Sequence, residues 1–263
     1  MKSIQRIAAL VALLAFGVPA AATTTLPLNT GYNYTLWNQY AAPGVDNYWI
    51  NIASFPTTNP AVAPAFVIQP HPAWFQGPFA AQGGAWISAW NTYNSQTQIP
   101  AYTLFRKCFC LTPGFKNASM KFTVRADDNI TVWFNTMTNQ LVAPQQGHFA
   151  GNVAAIPAGT NKGFNAGKNC VYALVEDQFG VAMGFLLDGS VTADGLLPSA
   201  AAGVGQSFAP CQCQGGPAPG AAGPRDALDR RAAQAAEREE LETVNAIIKY
   251  AEARRLERQR QRQ

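Results

Sequence analysis

Acidic residues and histidines, the groups that most often take part in catalysis, are rare in the centre of the chain. Residues 23–223 hold seven acidic residues: Asp46, Asp127, Asp128, Glu176, Asp177, Asp188 and Asp194. A glycosidase needs two carboxylates flanking the sugar, but Glu176 and Asp177 are adjacent and on a strand would point to opposite faces. The chain has 2 histidines and neither a Gly-x-Ser-x-Gly motif nor a phosphate-binding loop. The sequence therefore predicts that the protein is not an enzyme.

The acidic turn Asp127-Asp128-Asn129 is the strongest candidate for ion binding. Ca²⁺ takes about six to eight oxygen ligands, and loops supply carboxylate and carbonyl oxygens well. The alternative is an Asx turn, in which short polar side chains bond to nearby backbone groups. Ca²⁺ is thus a possible ligand here, and no other cofactor is expected.

Tryptophans are the better candidates for binding a ligand. The chain has 6 of them and only 13% charged residues. Sugar recognition uses flat aromatic faces for C–H groups and amides for hydroxyls. Trp133 shares its strand face with Thr131 and Asn135, opposite an apolar face. We therefore expect Trp133 to face solvent or a ligand, and the predicted ligand-binding residues are Trp133, Asn135, Asp127, Asp128, Asn129 and Trp90.

The first 22 residues have the pattern of a secretory signal peptide. Lys2 and Arg6 precede an apolar run, residues 7–16, which small residues follow up to Ala22. The apolar run is shorter than the roughly 20 residues that span a bilayer. The sequence therefore predicts a secreted protein, in the periplasm, outside the cell or at the cell surface, without a transmembrane segment.

The 5 cysteines include two Cys-x-Cys pairs, Cys108/Cys110 and Cys211/Cys213. Four thiolates could bind zinc, but disulfides persist in the oxidising compartments that exported proteins enter. The favoured interpretation is that disulfides join one pair to the other. Cys170 would then be the odd cysteine, a buried thiol, although sequence alone does not fix the connectivity.

Hydrophobic periodicity divides the chain into a β-domain, a linker and a helix. Residues 120–126 and 130–135 alternate apolar and polar side chains, and residues 170–175 and 181–187 continue a period of two. Turn residues separate these runs, which is typical of a β-sandwich. We expect a jelly-roll β-sandwich over 23–195 and an Ala/Gly/Pro linker with the second Cys pair over 196–224.

The C-terminal segment, 225–263, is predicted to be a single charged helix because it lacks Gly and Pro. Its apolar seam, Leu241, Val244, Ile248 and Ala251, lasts about two heptads, fewer than a coiled coil needs. The helix could therefore lie against its own domain, stay solvated or join a second copy in a homo-oligomer. Residues 23–223 show no basic stripe, so nucleic acid is not an expected partner.

Six short motifs, together covering roughly residues 85–192, carry a resemblance to a known family. They are residues 85–88 (AWIS), 102–106 (YTLFR), 122–129 (FTVRADDN), 132–135 (VWFN), 164–169 (FNAGKN) and 184–189 (GFLLDG). This pattern resembles secreted bacterial jelly-roll domains of the galactose-binding-like, or carbohydrate-binding-module-like, class. The family's Asn-Gly strand end is Asn135-Thr136 here. Because such sandwiches either bind sugars or serve structural roles, the resemblance implies one of these two functions.

Two functions follow from the sequence. The first is a secreted, non-catalytic binding protein that recognises carbohydrate or a cell-surface glycan through Trp133 and the Asp127–Asn129 turn. The alternative is a structural surface or appendage protein that assembles through its sandwich and its C-terminal helix. The jelly-roll resemblance favours the first, whereas the charged helix favours the second.

Overall fold

Strands make up most of the described part of the protein. The structure, a computed structural model, describes residues 23–33, 38–39, 43–55, 62–74, 83–95, 101–146, 151–160, 162–197, 213, 224–261 and 263. These residues form β1 (Thr23–Pro27), β2 (Tyr32–Asn33), β3 (Asn38–Gln39), β4 (Gly44–Phe55), β5 (Ala63–Val67), β6 (Ile87–Ser88), β7 (Ala101–Asp127), β8 (Asn129–Phe134), β9 (Thr136–Gln146), β10 (Asn152–Ile156), β11 (Gly167–Asp177), β12 (Gly184–Leu197) and the helix α1 (Pro224–Gln261). The prediction of a mostly β protein with one C-terminal helix is confirmed. The predicted signal peptide, 1–22, and most of the predicted linker lie outside the described residues.

The long strand β7 connects two parts of one antiparallel sheet. Its residues 101–111 pair with β11, and part of this stretch also pairs with β4. Its second half pairs with β12 and β10. Ten strands form this sheet in the order β1-β12-β6-β5-β4-β7-β11-β8-β9, with β10 on β7, while β2 pairs with β3 separately.

The main apolar core lies on one face of this sheet. Phe105 and Phe122, from the two halves of β7, belong to the same buried cluster as Trp49, Phe134 and Phe185. Strands at both ends of the sheet order also contribute to the cluster. Because distant parts of the sheet meet in one cluster, the sheet curves around a single main core.

Strand β8 has the two faces that its sequence predicts. Ile130, Val132 and Phe134 point into the main core. Thr131 and Trp133 point to the opposite face, as alternation along a strand requires. Both of these are nevertheless buried, each 1% exposed. The second face of β8 is therefore covered as well.

Helix α1 covers that second face. Its Ile247 and Ala251 are buried with Trp133 and with Tyr172 and Leu174 of β11. The ring of Tyr250 meets that of Trp133 edge-on, with centroids 5.7 Å apart. The helix thus packs on its own sheet. Among the described residues, no helix has the length and apolarity needed to cross a membrane.

Ion pairs fix α1 at two places along the sheet. Glu240 pairs with Arg106 of β7 and Lys168 of β11. Further along the helix, Arg254 Nε and Arg258 Nη2 lie 3.1 Å and 2.7 Å from the two carboxylate oxygens of Glu176 in β11. The Glu176 side chain is 5% exposed, so these contacts lie largely out of water.

The buried face of α1 differs from the seam predicted for it. Leu241 is 60% exposed, and Val244 and Ile248 are only partly buried, whereas Ile247 and Ala251 are fully buried. The docked face is rotated from the predicted one because polar and aromatic residues also contact the sheet. Leu241 is left on the outer side.

The disulfides differ in part from the predicted pairing. Cys110 is bonded to Cys213, with Cα atoms 5.5 Å apart, as an inter-pair bond requires. Cys108 is bonded to Cys170, so the expectation of a free Cys170 thiol is wrong. The reason is the register, which places these two residues directly opposite each other on β7 and β11. Cys211 lies outside the described residues.

The bonded sulfurs also bear on the zinc alternative. Potential ligand atoms of Cys108, Cys170 and Glu240 lie within 4.8 Å of one another. Both sulfurs are joined in a disulfide, however, and zinc is bound by the thiolate form. In this state the group offers a cation one carboxylate and no thiolate.

Candidate functional site

The Asp127–Asn129 turn joins β7 to β8 at one end of the sheet. The peptide between Asp127 and Asp128 is cis. The indole Nε1 of Trp74 donates to Asp127 Oδ2 at 2.7 Å, and the Asp128 amide donates to the carbonyl of Glu176 at 3.0 Å. Asn129, the first residue of β8, is buried. The turn is therefore held by a side chain on one side and by β11 on the other.

A loop between β11 and β12, residues 178–183, lies directly beside this turn. The Gln178 amide donates to Asp128 Oδ2 at 2.8 Å. Asp177 Oδ1 accepts the amides of Phe179 and Gly180 at 2.9 Å and 2.7 Å, and its Oδ2 accepts the Ser95 hydroxyl at 2.7 Å. Asp177 thus binds the loop through Oδ1 and Ser95 through Oδ2, while Asp128 links the loop to the turn.

A cluster of aromatic side chains packs behind the turn. Trp74, which holds Asp127, is 3% exposed and packs against Trp86 with the two rings tilted and their centroids 4.5 Å apart. The rings of His71 and Tyr93 each lie 6.0 Å from that of Trp74. This cluster fixes the Trp74 indole, and therefore the orientation of the Asp127 carboxylate.

Carboxyl groups are crowded at this end of the sheet. Burial raises the pKa of Asp127, and the charge of Asp177 raises it further, against hydrogen bonds from Asp128 and Trp74 that lower it. Burial also raises the pKa of Asp177, and the charge of Asp128 adds to that rise against its own hydrogen bonds. Partial desolvation and mutual repulsion both disfavour the ionised forms. A cation or a set of hydroxyl donors at the turn would relieve this repulsion.

The rim of the site is apolar and exposed. Phe179 and Val181, on the loop beside Asp128, are 59% and 63% exposed. Their backbone is nevertheless fixed, since the Ser95 amide donates to the Val181 carbonyl at 3.1 Å. The loop that carries this exposed ring is thus anchored, and its backbone amides are bonded to the carboxylates of Asp128 and Asp177. Such a surface can contact the C–H side of a ligand while accepting hydrogen bonds from its polar groups.

The residues predicted for ligand binding divide into separate places. Asp127, Asp128 and Asn129 lie together in the turn. Asn135 follows the other end of β8, roughly 20 Å away at the usual rise per strand residue. The side-chain Nδ2 of Asn135 donates to Asn169 Oδ1 and to the Gly163 carbonyl, and its Oδ1 accepts the backbone amide of Cys170. Asn135 therefore closes a turn far from the acidic one.

The predicted exposure of Trp133 is wrong. Its side chain lies under α1 and is 1% exposed, because the helix occupies the face that the sequence assigns to solvent or ligand. Trp90 is partly buried against the main core. Neither residue adjoins the acidic turn through a hydrogen bond or ring contact of the described residues.

Sequence reasoning missed the other half of the site. Trp74, Asp177, Phe179 and Val181 join the turn only through the fold, since Trp74 lies 53 positions before Asp127 along the chain. One usable signal was present. Asp177 comes two residues after the predicted strand 170–175, and binding side chains often lie in loops held by a scaffold.

Comparison with known proteins gives partial structural matches. No family model matches the chain, and no curated protein matches it. Among solved structures, the PA14 domain of the MpAFP antifreeze protein matches with 17% identity and a TM-score of 0.23, covering 37% of this chain and 45% of that one. A PA14 sugar-binding domain from an RTX adhesin matches with 20% identity and a TM-score of 0.24, covering 37% of this chain and 54% of that one. The chain thus spans about half of each, and TM-scores this low assign it neither a fold nor a ligand.

Proposed function

We propose that this protein is a secreted, non-catalytic carbohydrate-binding protein whose site is the acidic turn together with the 178–183 loop. One observation carries the proposal. The exposed Phe179 ring lies on a loop that is hydrogen-bonded to the carboxylate of Asp128. Two disulfides support export, because such bonds persist in oxidising compartments. The proposal includes the fold and ligand that the sequence resemblance implies, a galactose-binding-like jelly roll that recognises a cell-surface glycan.

The geometry suits a polyhydroxyl ligand. Sugar hydroxyls would donate to the carboxylates of Asp127 and Asp128, and charge-assisted hydrogen bonds of this kind are stronger than neutral ones. The C–H face of the same sugar would cover the ring of Phe179. Because the Trp74 indole and the Gln178 amide already hold these acceptors in place, little ordering would be required on binding.

Ca²⁺ is the ion that this pair of carboxylates fits. Asp127 and Asp128 are consecutive residues of the turn, and Ca²⁺ accepts carboxylates together with backbone carbonyls. A Ca²⁺ ion at the turn would neutralise the crowded carboxyl groups and could also take sugar hydroxyls as ligands. We therefore include Ca²⁺ in the proposal, with Asp127 and Asp128 as its side-chain ligands.

The binding site is tested by two substitutions on the full chain. Asp128→Asn keeps the size and one acceptor oxygen but removes the charge, and Phe179→Ala removes a ring that is mostly exposed. Each is expected to weaken binding to any glycan that the wild type recognises on an array by about tenfold or more. A tenfold loss corresponds to about 1.4 kcal/mol of binding free energy. Isothermal titration with the best glycan, at fixed Ca²⁺, measures the loss.

Matched controls separate binding from folding. Val153→Ala removes an exposed apolar side chain on β10. Asp194→Asn removes the charge of a partly exposed carboxylate at the far end of β12, which accepts hydrogen bonds from Thr23 and Asn117. Both should bind like the wild type. Equal losses in all four variants would contradict the proposed site.

The alternative function, assembly, is favoured by the exposed Leu241 and Leu256 on α1, which are 60% and 47% exposed. Light scattering on the same samples addresses this alternative. A silent array, together with oligomers that Leu241→Gln dissociates, would favour assembly over carbohydrate binding.

The raised pKa of Asp127 gives the site a characteristic pH dependence. Ca²⁺ binds deprotonated ligands, so its affinity is expected to fall as the pH drops through a range above the ordinary carboxyl value of 3.8. The sign for folding is opposite. Without Ca²⁺, the stability from protonating Asp127 is fully present below 3.8 and is lost as the pH rises through the raised pKa. Calcium titration across pH measures the affinity, and thermal melts of the wild type and Asp127→Asn across pH measure the contribution of Asp127 to stability. If the two quantities changed with pH in the same direction, the raised pKa of Asp127 would be contradicted.

A further inference from the structure

We propose that helix α1 positions the candidate binding turn through Glu176, so that docking of the helix and binding at the turn are coupled. The ligand in this inference rests on the proposed function. The coupling itself rests only on contacts between α1, β11 and the turn. Glu176 is a positioning residue, because its carboxylate contacts the helix and not the turn.

Glu176 joins the two sites within one residue. Its carboxylate accepts Arg254 Nε at 3.1 Å and Arg258 Nη2 at 2.7 Å from α1. Its backbone carbonyl accepts the amide of Asp128 at 3.0 Å. The side chain thus follows the helix while the backbone holds the turn. A displacement of the end of β11 that accompanies loosening of the helix would therefore move the carbonyl that binds the Asp128 amide.

The next residue extends the connection to the loop. Side chains alternate between faces along a strand, so Asp177 points away from the helix and towards the site. It binds the amides of Phe179 and Gly180. The last two residues of β11 therefore present one carboxylate to α1 and the other to the loop that carries Phe179.

Helix packing acts on the same two strands that carry the site. Trp133 of β8 and Tyr172 and Leu174 of β11 are buried against Ile247 and Ala251 of α1. The turn begins β8 and the loop follows β11, and Asn129 pairs with Glu176 at the end where they meet. Helix docking thus holds β8 and β11 together directly behind the turn and the loop.

Two consequences follow from this arrangement. Loosening the C-terminal half of α1 should weaken binding at the turn, because the carbonyl of Glu176 loses its fixed position. By thermodynamic reciprocity, Ca²⁺ at the turn should strengthen docking of α1 by the same factor. Typical coupling between two sites is about 5–150-fold in affinity.

The test uses the full chain with Arg254→Gln and Arg258→Gln combined. This variant removes both cations from Glu176 and keeps the helix length and its apolar contacts. The matched control is Arg238→Gln, whose side chain is 82% exposed and pairs with Glu242 within the helix. Arg254→Lys with Arg258→Lys keeps the charges and should restore part of the effect. The probes are Ca²⁺ alone, by calorimetry, and amide hydrogen exchange measured without Ca²⁺.

We expect faster exchange at the amides of Asp128 and Gln178 in the double Gln variant, by about fivefold or more, while the core amide of Val132 is unchanged. The dissociation constant for Ca²⁺ should rise by a similar factor, and the Lys variant should reverse part of both changes. Unchanged exchange at Asp128 and Gln178, or a uniform rise that includes Val132, would overturn the coupling. If Ca²⁺ fails to bind the wild type, the Ca²⁺ site fails, and the exchange data still decide the coupling.

Discussion

Replacing Trp133 with Ala is expected to lower the free energy of unfolding by about 3–5 kcal/mol, the range for removing a large aromatic side chain from a core. The indole is 1% exposed and lies between the sheet and α1, in edge contact with Tyr250. Its loss would leave a cavity between the sheet and the helix, which adds to the cost of the lost burial. Denaturant unfolding followed by far-ultraviolet circular dichroism measures the change.

The control is Trp90→Ala, because Trp90 is only partly buried against the main core. It should cost less than Trp133→Ala. If Trp133 were exposed, as the sequence predicts, Trp133→Ala would leave the free energy of unfolding unchanged and would abolish glycan binding. That result would contradict the position of α1 on the sheet.

Trp133 also shows what alternation of apolar and polar residues can and cannot predict about a strand. The period of two correctly separates Ile130, Val132 and Phe134 from Trp133, because that separation is a local property of a strand. What covers the second face is decided by α1, more than a hundred residues later. Thr131 and Asn135 beside Trp133 suggest a solvated face, and only the tertiary contact with Ile247 shows that the face is buried.

The residues of the candidate site could likewise be predicted only where they are consecutive in the sequence. Asp127-Asp128-Asn129 was recognised because the turn residues are consecutive and lie between two clear strands. The loop beyond Asp177 was not, because Gln178 and Asp128 are 50 positions apart and meet only when β8 pairs with β11. Asn135 is predicted to bind with Trp133 because the two share a strand face, although a six-residue strand separates Asn135 from the acidic turn. Pairing and register, which one sequence does not reveal, therefore decide the composition of the site.

Cysteine connectivity follows the same rule. The two Cys-x-Cys pairs suggested that each cysteine of one pair joins the other pair. The register instead places Cys108 opposite Cys170, so only Cys110 and Cys213 form a bond between the pairs. The sequence predicted a bond between the two pairs, and the fold determined the rest.

Replacing Cys108 and Cys170 together with Ala is expected to lower the free energy of unfolding by about 4 kcal/mol. The bond closes a loop with a sequence separation of 62, and the loss of its closure entropy in the unfolded chain has this size. Both sulfurs are buried beneath α1, and Ala avoids placing a new polar group there. Denaturant unfolding of the oxidised protein measures the change, and non-reducing peptide mapping verifies which bonds remain.

The matched control replaces Cys110 and Cys213 with Ala. Its sequence separation is 103, so the entropic cost is about the same or slightly larger, roughly 4–5 kcal/mol. The two variants differ in what they loosen. The Cys108–Cys170 bond lies close to Glu240, which pairs with Arg106 and Lys168 from the same two strands. Its loss should therefore also speed hydrogen exchange in α1 around Glu240, whereas loss of Cys110–Cys213 should leave those amides protected. Equal exchange in both variants would show that the cross-strand bond does not support the helix contact.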